Sequence, residues 1–184
     1  VLVQTAFLGD LLLSIPLMRN MRSLWPEEKL ILVCRKGLGD FFLKTRLVDR
    51  VFEINKGNNN SYKVALKALE SEKITRVFAP HESLRTAFFA RRIQAQERIA
   101  FSSFWNFIFY NSRMQKNKNL PEALRQLSLL QNYDLDLKSK IKNFSYDPHQ
   151  LSVVPSWASM SLVEFYRQQS DAIETVFSKV GCRR

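Results

Sequence analysis

Glycine is scarce in this chain, with five in 184 residues. Neither G-x-G-x-x-G nor G-x-x-x-x-G-K-[ST] occurs, which excludes the usual dinucleotide and P-loop phosphate cradles. Cysteine is equally rare: Cys34 and Cys182 lie far apart and match no zinc or disulfide spacing, so a reduced, cytoplasmic setting fits best. His81 and His149 are the only histidines and neither stands in a ligand pattern, so no protein-bound metal and no cofactor is expected. No apolar run is long enough to span a bilayer, and no secretory n-region with a cleavage site is present. The first residue is Val1, within an apolar run and without an initiator Met, which suggests a fragment or an incomplete gene model.

What the chain does have is positive charge. Its 28 Lys and Arg against 17 Asp and Glu give a formal net charge of +11. Such an excess implies an acidic partner: a phosphorylated glycolipid, an anionic bilayer or nucleic acid. Hydrophobic residues make up 46% and charged ones 24%, ordinary usage for a folded domain. Short apolar runs near residues 1–4, 29–34, 50–54, 75–79 and 98–101 read as strands buried on both faces. Between them, the spacing predicts helices over about 10–24, 38–44, 62–72 and 82–96, with a further helix over 121–132. Pro16 should kink the first of these, residues 56–61 read as a loop, and 138–142 as a polar connector. Strand and helix alternating in this way predict an α/β fold, an open parallel sheet with helices on both faces.

In such sheets, ligands bind at the carboxyl ends of the strands. Asp10 follows the first strand at that edge and opens the first predicted helix. It could simply cap the helix, or take a proton from a substrate hydroxyl. The positive end of a helix dipole favours a carboxylate, so the two roles are compatible. Arg35 and Lys36 follow the second strand at the same edge, and Arg is suited to carboxylate and phosphate through its planar fork. Ser83 and Arg85 follow the fourth strand, where Ser83 could cap a helix and Arg85 could be solvated. The aromatic run over 101–110, flanked by Arg98, Arg113, Lys116 and Lys118, reads as core or interdomain packing, or as a surface resting on lipid.

Residues 4–17, Gln-Thr-Ala-Phe-Leu-Gly-Asp-Leu-Leu-Leu-Ser-Ile-Pro-Leu, resemble the opening motif of glycosyltransferase family 9, the lipopolysaccharide heptosyltransferases. Residues 79–87 look like that family's Ser-Leu-Arg-Ser-Ala segment. Residues 121–130 look like its His-Glu helix, with Pro121 where His is common. The resemblance implies a Rossmann-like acceptor domain over 1–144, the N-terminal half of a GT-B fold, with 145–184 a remnant or the start of the donor domain. It implies that Asp10 is the general base, and that Arg35, Lys36, Ser83, Arg85 and Arg125 bind an acidic lipopolysaccharide core precursor. The implied donor is ADP-heptose or a similar nucleotide sugar, with inversion at the anomeric carbon. Work on the cytoplasmic face of the inner membrane, with peripheral contact, is implied as well. Residues 151–158 resemble the first strand and loop of the donor domain, but Ser159-Met160-Ser161-Leu162 replaces a Lys-Arg-Trp-Pro-like segment. This chain alone is therefore expected to be inactive. The rival readings are a non-catalytic remnant that binds anionic glycolipid and, ranked last, a basic nucleic-acid-binding module; the aromatics lack an RNP signature.

Overall fold

The computed structural model describes residues 1–144; the expected donor-domain remnant at 145–184 lies outside them. Six parallel strands form one sheet: β1 (Leu2–Gln4), β2 (Ile31–Arg35), β3 (Arg50–Ile54), β4 (Ile74–Ala79), β5 (Ala95–Phe101) and β6 (Ser112–Met114). Their order is β3-β2-β1-β4-β5-β6, and every pairing is parallel. All five expected strands are present. The sixth, three residues long, was not legible. It is held by its β5 neighbour, with Ser102 N–H donating to the Met114 carbonyl at 2.7 Å.

Side chains alternate across the strands because successive Cβ atoms point to opposite faces. Leu2, Leu32, Cys34 and Phe78 enter one core together with Leu17, Phe42, Leu124 and Leu127. Val3, Ile31, Val33, Val77 and Ala79 enter the other, against Ala65, Leu69, Ala87 and Phe89. The first core is covered by α1 (Leu8–Leu12), α2 (Ile15–Leu24), α3 (Gly39–Lys44), α6 (Glu122–Leu127) and α7 (Leu135–Lys142). The second is covered by α4 (Asn59–Glu70) and α5 (Leu84–Arg92). Helices thus lie on both faces of the sheet, a Rossmann-like arrangement.

Several boundaries differ from the sequence reading, each for a local reason. The first helix is two. Residues Leu13 and Ser14 separate α1 from α2, and Pro16 sits in the first turn of α2, where its missing N–H costs nothing. Helix α4 begins at Asn59 because the Asn58 side chain accepts from the Asn60 N–H at 2.8 Å, so part of the expected loop supplies a cap. Helix α5 ends at Arg92, and β5 starts at Ala95, three residues before the expected strand. Helix α6 stops at Leu127 and tightens into a 3₁₀ turn over Ser128–Leu130. The supposed connector is α7, capped by Asp134, whose carboxylate accepts from the Leu137 N–H at 3.0 Å, and anchored by buried Leu137 and Ile141.

One close approach fixes α3 against β3. Gly39 is buried, and its N–H donates to Glu53 Oε1 at 2.9 Å. A Cβ at this position would overlap Val51 Cγ1 and lie 3.0 Å from Glu53 Oε1. Gly39→Ala is therefore expected to destabilise the fold by about 1–3 kcal/mol, the usual cost of overpacking. A urea melt checks this, and an unchanged midpoint would show that Val51 moves aside freely.

Candidate functional site

The strand order reverses between β1 and β4, and the chain leaves these two strands toward opposite faces. In an open α/β sheet the crevice at the carboxyl ends of two such strands is the usual ligand position. One wall is the segment from Thr5 to Asp10. The other runs from Pro80 through His81 to Ser83 and the start of α5. A hydroxyl chain joins the walls. Ser83 Oγ accepts from the Thr86 N–H at 3.1 Å, capping α5. It also donates to Thr86 Oγ1 at 2.9 Å, which lies 3.4 Å from Thr5 Oγ1.

Asp10 lies in the first turn of α1, and the position before the helix belongs to Phe7. Asp10 is thus not the cap that its place after the strand suggested. Its backbone carbonyl is pinned instead, accepting from Ser14 Oγ at 3.0 Å and from Gln126 Nε2 at 3.4 Å. Gln126 comes from α6. Its Oε1 accepts from Ser14 Oγ at 2.5 Å, and its Nε2 also reaches Glu122 Oε1 at 3.2 Å. Gln4 Nε2 donates to Ser14 Oγ at 3.3 Å from the end of β1. Among the described residues, no hydrogen bond or ion pair ends on the Asp10 carboxylate. The backbone is held while the acid group is left available.

Three cations share this crevice. Lys56, in the loop after β3, lies within electrostatic reach of Arg35, Arg85 and Asp10. Arg85 Nη1 donates to the Lys56 carbonyl at 2.7 Å, and the Arg35 guanidinium lies 5.3 Å from the centre of the Phe7 ring. Burial, and then the charges of Arg35 and Arg85, push the Lys56 ammonium below its usual range, while Asp10 pulls it back. The fold thus places Asp10, Arg35 and Arg85 around Lys56, which the sequence reading left inside a loop. Ser83 is at the crevice wall as a cap. Lys36 is exposed beside Arg35, its N–H donating to the Ile54 carbonyl at 3.0 Å. Arg125 is at one remove, its Nη2 paired with Glu122 Oε2 at 2.5 Å.

His81 is the remaining titratable group of the crevice. Burial is the main cause that lowers its pKa, helped by the Lys56 charge; Asp10, Glu82 and Glu122 act in the opposite direction. Glu82 is itself held by Lys116 at 2.6 Å. A neutral imidazole at neutral pH follows. Among the described residues no group of His, Cys, Asp and Glu side chains is arranged to hold a metal ion, and no helix is long and apolar enough to cross a membrane.

The sequence matches no protein-family model and no curated protein. Its fold, however, is shared with solved structures. A glycosyl transferase family 9 protein from Veillonella parvula DSM 2008 aligns with a TM-score of 0.66 at 17% identity, over 91% of this chain and 48% of its own. The E. coli heptosyltransferase WaaC, solved with ADP-2-deoxy-2-fluoro heptose, aligns at 0.61 and 16% identity, over 88% and 53%. E. coli ADP-heptose lps heptosyltransferase II aligns at 0.63 and 14% identity, over 92% and 50%. These neighbours include the family that residues 4–17 resemble. The chain spans about half the length of each.

The His81 environment has a measurable consequence. Its folded pKa lies below the ordinary value of 6.5, so protonation costs the folded state more than the unfolded one. Stability from this group is full above pH 6.5 and is lost as pH falls from there toward the folded value. The melting temperature of His81→Gln should therefore fall less steeply than that of the native chain as pH drops through this window. Parallel profiles would show that His81 is as solvated in the fold as in the unfolded chain.

Proposed function

We propose that this chain carries the acceptor half of a glycosyltransferase that adds a sugar to the acidic core of a lipopolysaccharide precursor. The observation that carries this reading is the Asp10 carboxylate at the β1–β4 reversal, on which no hydrogen bond or ion pair among the described residues ends, grouped with Arg35, Lys56 and Arg85. The family resemblance of residues 4–17 and the shared fold support it.

In this reading Asp10 takes the proton of an acceptor hydroxyl, and the oxygen attacks the anomeric carbon of an ADP-activated heptose. The bond to ADP breaks from the opposite face, ADP leaves with the electron pair, and the anomeric centre inverts. Arg35, Lys36, Lys56 and Arg85 hold the carboxylates and phosphates of the acceptor. Ser83 keeps the start of α5 in place, and Arg125 acts from α6. Recognition of the nucleotide falls to groups outside the described residues. The acceptor being a glycolipid, the reaction belongs at the cytoplasmic face of the inner membrane.

The test joins this chain to the donor-binding half of a full-length structural neighbour. Asp10→Asn should keep acceptor binding and lose turnover by about 10²–10⁴-fold, the usual range for general-base help. Arg85→Glu should instead weaken acceptor retention. If Asp10→Asn transfers sugar at an undiminished rate and only its melting temperature drops, Asp10 is a structural residue and the mechanism is wrong.

A further inference from the structure

The face carrying α4 and α5 holds an apolar ridge that none of the described elements covers. After β5 the chain makes a 3₁₀ turn over Asn106–Ile108, leaving Phe104, Phe107 and Ile108 exposed by 93%, 62% and 60%. This turn is not frayed. Asn106 is buried, donates from Nδ2 to the Phe101 carbonyl at 2.7 Å, and accepts from the Ser103 N–H at 3.1 Å. Phe109 and Tyr110 sink into the core immediately after it. The outward rings therefore sit on an anchored base, at a solvation cost that a purely structural loop would avoid.

The ridge continues onto α5. Phe88, half exposed, packs edge-on against Phe109 with ring centres 4.8 Å apart. Phe88 also lines a cavity of about 360 Å³ between α4 and α5, with Tyr62 and Phe89 as further aromatic walls and Lys63, Arg85 and Arg92 as its charged groups. Three cations and no carboxylate line this cavity. Arg85 belongs to the catalytic crevice as well, so the two surfaces adjoin.

We propose that this ridge and cavity dock the protein on an anionic lipid bilayer, with Phe104 and Phe107 at headgroup depth and Lys63 and Arg92 on lipid phosphates. Aromatic rings prefer the interfacial layer, and basic groups beside them gain from the negative surface potential. A second copy of the chain fits the surface less well. A two-fold contact would pair the patch with itself and bring its like-charged cations together. The inference does not depend on the transfer reading, because it concerns a bilayer without any glycolipid acceptor.

The probe is co-sedimentation of the 184-residue chain with vesicles of phosphatidylcholine, with and without phosphatidylglycerol. Binding is expected to the mixed vesicles and to weaken with salt. Phe104→Ser combined with Phe107→Ser should lower it by about tenfold or more, from lost ring burial. Lys63→Glu combined with Arg92→Glu should lower it by at least about tenfold and remove the preference for phosphatidylglycerol. All four side chains are exposed, so circular dichroism melts should stay unchanged and separate these losses from misfolding. Absence of binding to either vesicle, or binding that neither double variant alters, overturns the proposal. So does a dimer that the Phe104 and Phe107 changes dissolve, or ring-dependent binding to a single-stranded oligonucleotide in place of vesicles.

Discussion

The reversal of strand order between β1 and β4 is the constraint on which the rest of this structure depends. Leu2 pairs with Leu32 on one side and with Phe78 on the other, so β1 is enclosed by neighbours on both edges. The polypeptide leaving β1 must turn to the α1 face, and that leaving β4 to the α5 face, because right-handed crossovers permit nothing else. No helix can close the gap they leave. The polar ends of both strands then need partners of their own, and the Thr5–Thr86–Ser83 hydroxyl chain supplies them across the gap. What remains open above that chain is a crevice walled by groups from β1, β2, β3 and β4.

A crevice made of strand ends is only as fixed as the segments that cross it. Here the support comes from far along the chain. Gln126 on α6 is 116 residues from Asp10, and it holds both the Asp10 carbonyl and the Ser14 hydroxyl that sits behind it. Buried amide and hydroxyl groups of this kind must be matched, since an unpaired one costs about 1–3 kcal/mol. The α6 helix is in turn locked by Leu124 and Leu127 in the same core as Leu11 and Leu17. The position of Asp10 is thus set by apolar packing on the α1–α6 side and transmitted through one glutamine.

The strands were legible because each carries a short apolar run, buried on both faces in β1 and most of β2 and at the carboxyl ends of β4 and β5, and that pattern depends little on the rest of the chain. Strand β6 was not, because Ser112-Arg113-Met114 carries no such signal. It exists where β5 offers an open edge, and where Asn111 pins the approach by accepting from the Arg98 N–H at 2.7 Å and donating to the Gln96 carbonyl at 2.8 Å. The break at Leu13 and Ser14 was hidden by an apolar stripe that runs on across it, although Pro16 pointed to some irregularity. At the site, Asp10, Arg35 and Arg85 could be found because each ends a strand or stands in the first turn of a helix. Lys56 could not: it stands in a polar loop, and only the parallel pairing of β3 with β2 carries that loop to the crevice. Gln126 was invisible for the opposite reason. In a leucine-rich helix an uncharged polar residue reads as surface, whereas here it is buried between two helices.

The electrostatics of the crevice give the charge excess of the whole chain a local meaning. The Lys56 ammonium is lowered first by burial and then by the charges of Arg35 and Arg85, so the three cations disfavour one another. Asp10 offsets only part of that repulsion. Holding like charges together raises the free energy of the folded chain, and stability alone gives no reason to keep them. An anionic ligand would remove the repulsion and gain hydrogen bonds at once, whereas a neutral sugar would gain only the bonds. The discrimination between the two comes as much from the repulsion relieved as from the contacts formed.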